Sequence, residues 1–420
     1  MNWGRLKRDG SADAVSRSYG GSSLAAHFVV VFIAWALAQL SVSTKHRSLA
    51  IGHQSAKEKK TPAGVGRWNA FDYLLVLVLI IFSAVRYYVG TDYRTYLSLH
   101  TAVDPTDALG SYAASPVEIG YTTLSILVRA LIDSPYAIFW VTSILTVVPM
   151  YIAIKRSSLD LPFSIVIYML LAFYVSPFNM VRQGIAIALI LLAHTFYEKN
   201  RAVYYTLSAV AGLFHYTAWI AALMQWAVLR WRPSIRMVMY IVTGVFLVGL
   251  LFVLVNALNP SLVSSALGFV NPRYADYFDG ARSGIGTYLI IVTRVALLYL
   301  AFLLLKHSGE GMRANWRVYG AWFAYAALGI CFLAIGTQAI NVGRIDYYFS
   351  IFLVLLIPNL LKGIKASEAP PQLGTRGTIA EIVTSPRIAK ISFAVFGSLY
   401  FAMFIANFSN LVPYQTYFGQ

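Results

Sequence analysis

Cysteine is almost absent from this sequence. The single thiol, Cys331, excludes an internal disulfide and any cysteine-based metal cluster. Charge is scarce as well: 12% of residues are charged, against about 25% in a soluble domain. A water-soluble fold of 420 residues needs more polar surface than that. The sequence has no Rossmann-type glycine pattern, no Walker loop, no HExxH and no internal repeat. It also lacks apolar alternation over about 10-residue stretches, which excludes a transmembrane β-barrel. Acidic residues are few, 17 against 33 lysines and arginines, giving a formal charge of +16. That excess sits in short loops between apolar runs, so it sets topology and does not point to nucleic acid.

Hydrophobic residues make up 58% of the chain and come in blocks, such as LLVLVLIIFSAV at 74–85 and IVTGVFLVGLLFVLV at 241–255. Spans of roughly 17–25 apolar residues cross a bilayer as helices, because the backbone must satisfy its own hydrogen bonds in lipid. The fold expected is therefore all-α, a polytopic membrane helix bundle of about 11–12 spans. These lie near 24–40, 71–89, 136–154, 162–176, 184–197, 202–229, 236–257, 286–305, 317–338, 344–361 and 388–406. The short amphipathic segment 116–132 is expected to be a re-entrant or interfacial helix. The segment 202–229 is too long for one span and too short for two, with His215 near its middle. A broken helix fits it.

The domain organisation expected is a disordered N-terminal tail (1–23), a membrane domain (24–406) with a cytoplasmic linker loop at 366–386, and a periplasmic C-terminal tail (407–420). Lysine and arginine counts orient it. Loops bearing Lys45, Lys57, Lys155, Arg156, Arg201, Arg230, Lys306 and Lys362 fall on one side, read as cytoplasm. The opposite loops hold only Arg94, Arg182, Arg273, Arg282 and Arg344. The alternation requires 202–229 to cross twice.

The sparse charges of the outer side lie at span ends. Arg86 and Asp92 lie in RYYVGTDY, Glu118 opens the short helix in SPVEIGY, Arg182 and Gln183 begin a span in SPFNMVRQG, and His215 lies in LFHYTAW. Arg273 and Asp276 lie in NPRYADYF, and Arg344 and Asp346 in NVGRIDYYF. Arg294 is well inside a span. Ionisable groups at membrane depth are costly and face a cavity or a partner. Several guanidiniums at one level suit a diphosphate, and two carboxylates and a histidine supply bases. Tyr93 and its neighbouring tyrosines suit sugar faces, and equally the headgroup level.

In order and spacing, RYYVGTDYRTY, VEIGY, VRQGIAIALILLAH, LFHYTAWIAAL and GRIDYYFSIFLVLLIP resemble the EpsG family of Wzy-like polysaccharide polymerases, from about residue 70 to 361. The resemblance implies a membrane glycosyltransferase that needs neither metal nor nucleotide cofactor. Its ligand would be a polyprenyl-diphosphate-linked oligosaccharide at the periplasmic face of a bacterial inner membrane. Membrane lipids are the other partner, a chain-length regulator is a candidate third, and no nucleic acid is involved. The matched positions are Arg86, Gly90, Asp92, Glu118, Arg182, His215 and Arg344. His215 is the first choice for the catalytic base and Asp92 the second, with Glu118 orienting the acceptor. Arg182 and Arg344 are assigned to the diphosphate, with Arg86 and Arg294 as helpers; Tyr93, Gln183 and Arg273 complete the substrate-binding set.

Each assignment has a plainer counterpart. Arg182 could anchor a span end, Arg344 could pair with Asp346, and Arg86 could snorkel to the interface. Asp92 and Glu118 could cap helices, and His215 could be a packing histidine. A flippase for lipid-linked glycans would share the arginines, but it calls for polar groups along a path to both faces. A membrane O-acyltransferase would need a histidine on the cytoplasmic side.

Overall fold

The computed structural model describes residues 10–52, 68–231, 285–307, 316–337, 340–363, 385–407 and 410–419, with scattered positions between 234 and 255. Among the described residues every regular element is helical. Helix α1 is Gly10–Gly52, α2 Ala70–Ala84, α3 Tyr93–Thr101, α4 Ala108–Ala114, α5 Ile119–Leu131, α6 Ala137–Ser157 and α7 Leu161–Leu170. Helix α8 is Val181–His194, α9 Arg201–Phe214, α10 Thr217–Trp231, α11 Ile285–His307 and α12 Trp316–Gly336. Helix α13 is Leu353–Gly363, which continues the short turns from Arg344 into one span, and α14 is Pro386–Asn407.

Among the described residues, six helices are long and apolar enough to cross a membrane: Ser23–Thr44 within α1, α6, Gly286–Leu305, Tyr319–Gly336, Arg344–Gly363 and α14. Four shorter apolar helices, α2, α5, α7 and α8, pack among them. The chain is a multi-pass helical membrane protein. The expected span at 236–257 and the linker at 366–386 lie largely outside the described residues. No proline precedes Pro62. Accordingly, α1 runs on past the apolar run at both ends and takes in residues 10–23 and 41–52.

Local chemistry sets the boundaries. Asn69 and Asp72 form a capping box at the start of α2. Asp160 caps α7 at Phe163 N, with Pro162 in the first turn. Asn200 caps α9 at Val203 N. The break expected in 202–229 is present. His215 has extended backbone (φ −157°, ψ 120°) between α9 and α10, and its carbonyl accepts from Ala218 N at 2.9 Å as the helix restarts. Arg201 and Arg230 sit at the two helix ends away from His215.

At the end of the bundle opposite His215, the buried Asp72 carboxylate binds α1, α2 and α6 together. It accepts from Ser41 Oγ at 2.7 Å, Asn69 N at 2.7 Å, the Tyr151 hydroxyl and Lys155 Nζ. Lys390 of α14 pairs with Asp160, the N-cap of α7.

The segment 410–417, expected as a plain tail, is docked. Tyr87 N donates to Gln415 O at 2.8 Å, Gly90 N to Asn410 O at 2.9 Å and Tyr417 N to Val85 O at 3.2 Å. Residues 85–90, which link α2 to α3, are thus held against the segment that follows α14. Gly90 is required there. Its φ is +101°, and a Cβ would meet Asn179 Oδ1 and Phe178 O at 2.9 Å.

Outside the spans, His100 of α3 is fully buried and neither ring nitrogen has a hydrogen-bond partner. Burial, and then the nearby Arg129 charge, push its pKa down from 6.5 to about 4. The unfolded segment therefore binds more protons than the folded one between those values, so stability falls as pH drops through that window. Hydrogen exchange at residues 93–101 is expected to accelerate between pH 7 and pH 4.5. His100→Leu should abolish that acid sensitivity; a persistent pH response in the variant would rule this histidine out as its cause.

Candidate active site

Three chain segments converge at the His215 end. Glu118 precedes α5 with extended backbone and makes no capping hydrogen bond. Its side chain is 5% exposed and is spent on two partners. Oε1 meets His215 Nδ1 at 2.7 Å, and Oε2 forms a salt bridge with Arg182 Nη1. Arg182 stands in the first turn of α8, where the helix dipole disfavours a cation; the Glu118 carboxylate offsets that cost. Its guanidinium also lies 6.0 Å from the centre of the Tyr96 ring. Tyr121 of α5 donates to Tyr96 O at 2.9 Å, fixing α5 against α3.

One glycine makes this convergence feasible. A Cβ on Gly120 would sit 2.7 Å from Leu213 O, so the start of α5 rests directly on the backbone of α9, two residues before His215. Gly120→Ala is expected to part α5 from α9 and weaken the Glu118–His215 contact. If the protein polymerises lipid-linked saccharide as the resemblance implies, the variant should lose most of that activity while its abundance in the membrane changes little; wild-type activity would show that the close approach is dispensable.

Arg344 joins the group from the far part of the sequence. It is exposed, and its charge and that of Arg182 both act on the His215 ring. Gln183, 3% exposed, donates from Nε2 to Arg344 O at 2.7 Å and so ties the turn at 344–346 to α8. Four of the residues singled out in the sequence, Glu118, Arg182, His215 and Arg344, are thus neighbours, with Gln183 as their brace.

The remaining positions sit apart from that group. Asp92 is half-buried at the start of α3 and accepts from Thr91 Oγ1 at 3.1 Å. Thr91 is tethered to Asn179, which receives Thr91 N at 2.6 Å. Arg86 is 2% exposed, donates to Ser83 O, and lies between the rings of Phe139 and Phe178 at 4.9 and 4.6 Å. It neither snorkels nor reaches the cluster; Tyr93, 1% exposed, stacks on the same Phe139 ring at 4.4 Å. Arg294 is 2% exposed, lies 4.4 Å over Phe173, and is electrostatically attracted to the buried Asp346. Asp346 accepts from Ser350 rather than pairing with Arg344 at the surface. Arg273 lies outside the described residues.

The sequence reading missed two features. One is the set of residues around Asp72, for which the N-x-x-D spacing of Asn69 and Asp72 was the available signal. The other is the docked segment 410–417, where the closely spaced Tyr414 and Tyr417 were the only hint.

The cluster lies within residues 69–371, the stretch that matches the EpsG family. The chain belongs to the EpsG family. No curated protein and no solved structure matches it. The EpsG assignment makes it a polysaccharide polymerase-like membrane protein. All four residues of the group, and the Gln183 brace, fall inside the matched stretch; α1, α14 and the docked segment fall outside it.

Proposed function

We propose that this EpsG-family protein joins polyprenyl-diphosphate-linked saccharide units into polymer at the periplasmic face of a bacterial inner membrane. The observation that carries the reading is the Glu118–Arg182–His215 contact beside Arg344. A carboxylate against Nδ1 holds the imidazole with its proton there, leaving the lone pair on Nε2 as the acceptor. That is the arrangement of a general base whose orientation is fixed by a third group.

In the reaction, a hydroxyl of the acceptor's outermost sugar attacks the anomeric carbon of the donor chain. The new C–O bond forms as the bond to the donor's diphosphate breaks. The hydroxyl proton goes to His215 Nε2, and the diphosphate departs as an anion on its lipid. Arg344, exposed beside the ring, and the remaining N–H groups of Arg182 are suited to that developing charge. Glu118 acts on the acceptor indirectly, by holding both His215 and Arg182. Basic residues gather at the opposite helix ends, which supports placing the cluster outside.

The decisive assay is reconstitution with lipid-linked repeat units and no nucleotide. A ladder of extended products is expected. Transfer of the lipid-linked unit between leaflets without elongation would instead establish a flippase and remove the polymerase reading.

A further inference from the structure

A line of aromatic rings runs across the outer end of the bundle beside the proposed site. Tyr88 meets Tyr87 at 4.4 Å between ring centres, Tyr87 meets Tyr136 at 6.2 Å, Tyr136 stacks on Tyr417 at 4.8 Å, and Tyr417 meets Phe418 at 4.4 Å. The two ends are the most open: Tyr88 is 41% and Phe418 71% exposed. Tyr88 holds a positive φ of 51°, a conformation costly for a residue with a side chain and found preferentially at binding sites.

We propose that this ribbon is a glycan subsite that holds an extended stretch of saccharide by packing sugars against the ring faces, edges and hydroxyls left open along it, chiefly at Tyr88 and Phe418. The proposal rests on the polymerase reading, and it adds a place for the chain beyond the reacting sugar. Three observations favour a saccharide. The exposed Arg94 guanidinium lies 4.6 Å over the Tyr88 ring and brings N–H donors to that end, where saccharide hydroxyls can accept them. The ribbon is pre-organised: Trp140 Nε1 donates to the Tyr417 hydroxyl at 2.8 Å, and the backbone bonds between 85–90 and 410–417 lock the register. It also connects to the site. Tyr88 contacts Tyr93 at 5.3 Å, and Tyr93 lies one turn before Tyr96, the ring under Arg182.

The test uses the full chain in nanodiscs and oligosaccharides made by partial acid hydrolysis of the polysaccharide its native cells export. These fragments carry neither lipid nor diphosphate. Saturation transfer from protein to saccharide protons is expected for the native protein. Tyr88→Asn, which tolerates the positive φ, and Phe418→Leu should each weaken binding about fivefold, while Phe418→Trp should retain it. Unchanged binding in the two ring-deleting variants overturns the proposal, as does the absence of transfer to the native protein. Arg182→Ala separates the two readings. If it still polymerises while the ribbon variants lose saccharide binding, the reaction assignment falls and the subsite stands.

Discussion

His215→Ala is expected to slow elongation of lipid-linked repeat units by about 10²- to 10⁴-fold, the usual contribution of a positioned general base. The protein's abundance in the membrane should hold. His215 lies between two helices and its side chain is 25% exposed, so its loss opens no core cavity. Glu118→Gln should reproduce part of that defect while keeping the side chain's shape. The neutral amide no longer selects the tautomer with its proton on Nδ1, and it no longer neutralises Arg182. Arg344→Ala should lower the rate with the imidazole pair intact. The measurement is the initial rate of ladder formation in proteoliposomes. A wild-type rate from His215→Ala would remove the base from the mechanism, leaving the arginines to be judged separately.

Asp72→Ala is expected to produce the largest loss of stability. The carboxylate is fully buried, and its partner Lys155 is 12% exposed. Removing one member of a buried ion pair costs about 3–5 kcal/mol, because the other charge is left desolvated. The capping contact at the start of α2 is lost with it, worth about 1 kcal/mol more. Thermal unfolding of the purified protein in detergent should shift strongly downward. Lys155→Met added to Asp72→Ala should recover part of the loss, since the two effects are coupled. If Asp72→Ala melts with the native protein, the cluster contributes nothing to holding α1, α2 and α6.

The helices were legible in the sequence because lipid imposes one rule on every span: apolar side chains and an internally satisfied backbone. The break at His215 was legible for a related reason. A segment of that length fits neither one crossing nor two full ones, and the arginines at 201 and 230 require the chain to turn between them. Partnerships were not legible. Glu118 is 97 residues from His215, and no local pattern distinguishes a carboxylate that caps a helix from one that holds a distant imidazole. Arg86 and Arg294 illustrate the same limit. An arginine at a span end reads alike whether it faces ligand, lipid or aromatic rings, and only packing separates Arg86 between two phenylalanines from Arg344 in the open. Lys155 counted as one more topological charge because its carboxylate lay hidden at the start of an apolar run. The family match spans the candidate site's residues but does not reach the docked segment, which lies beyond residue 371.

That docked segment bears on how the molecule is completed. Residues 85–90 leave the ribosome long before their backbone partners at 410–417. Contacts so distant in sequence form late and slowly. A chain halted after α13 would already hold Glu118, Arg182, His215 and Arg344, but the strip of rings would lack Tyr417 and Phe418. On the proposed reading, such a nascent protein would possess its chemistry before its grip, and completing the segment beyond α14 would decide when long saccharides are retained.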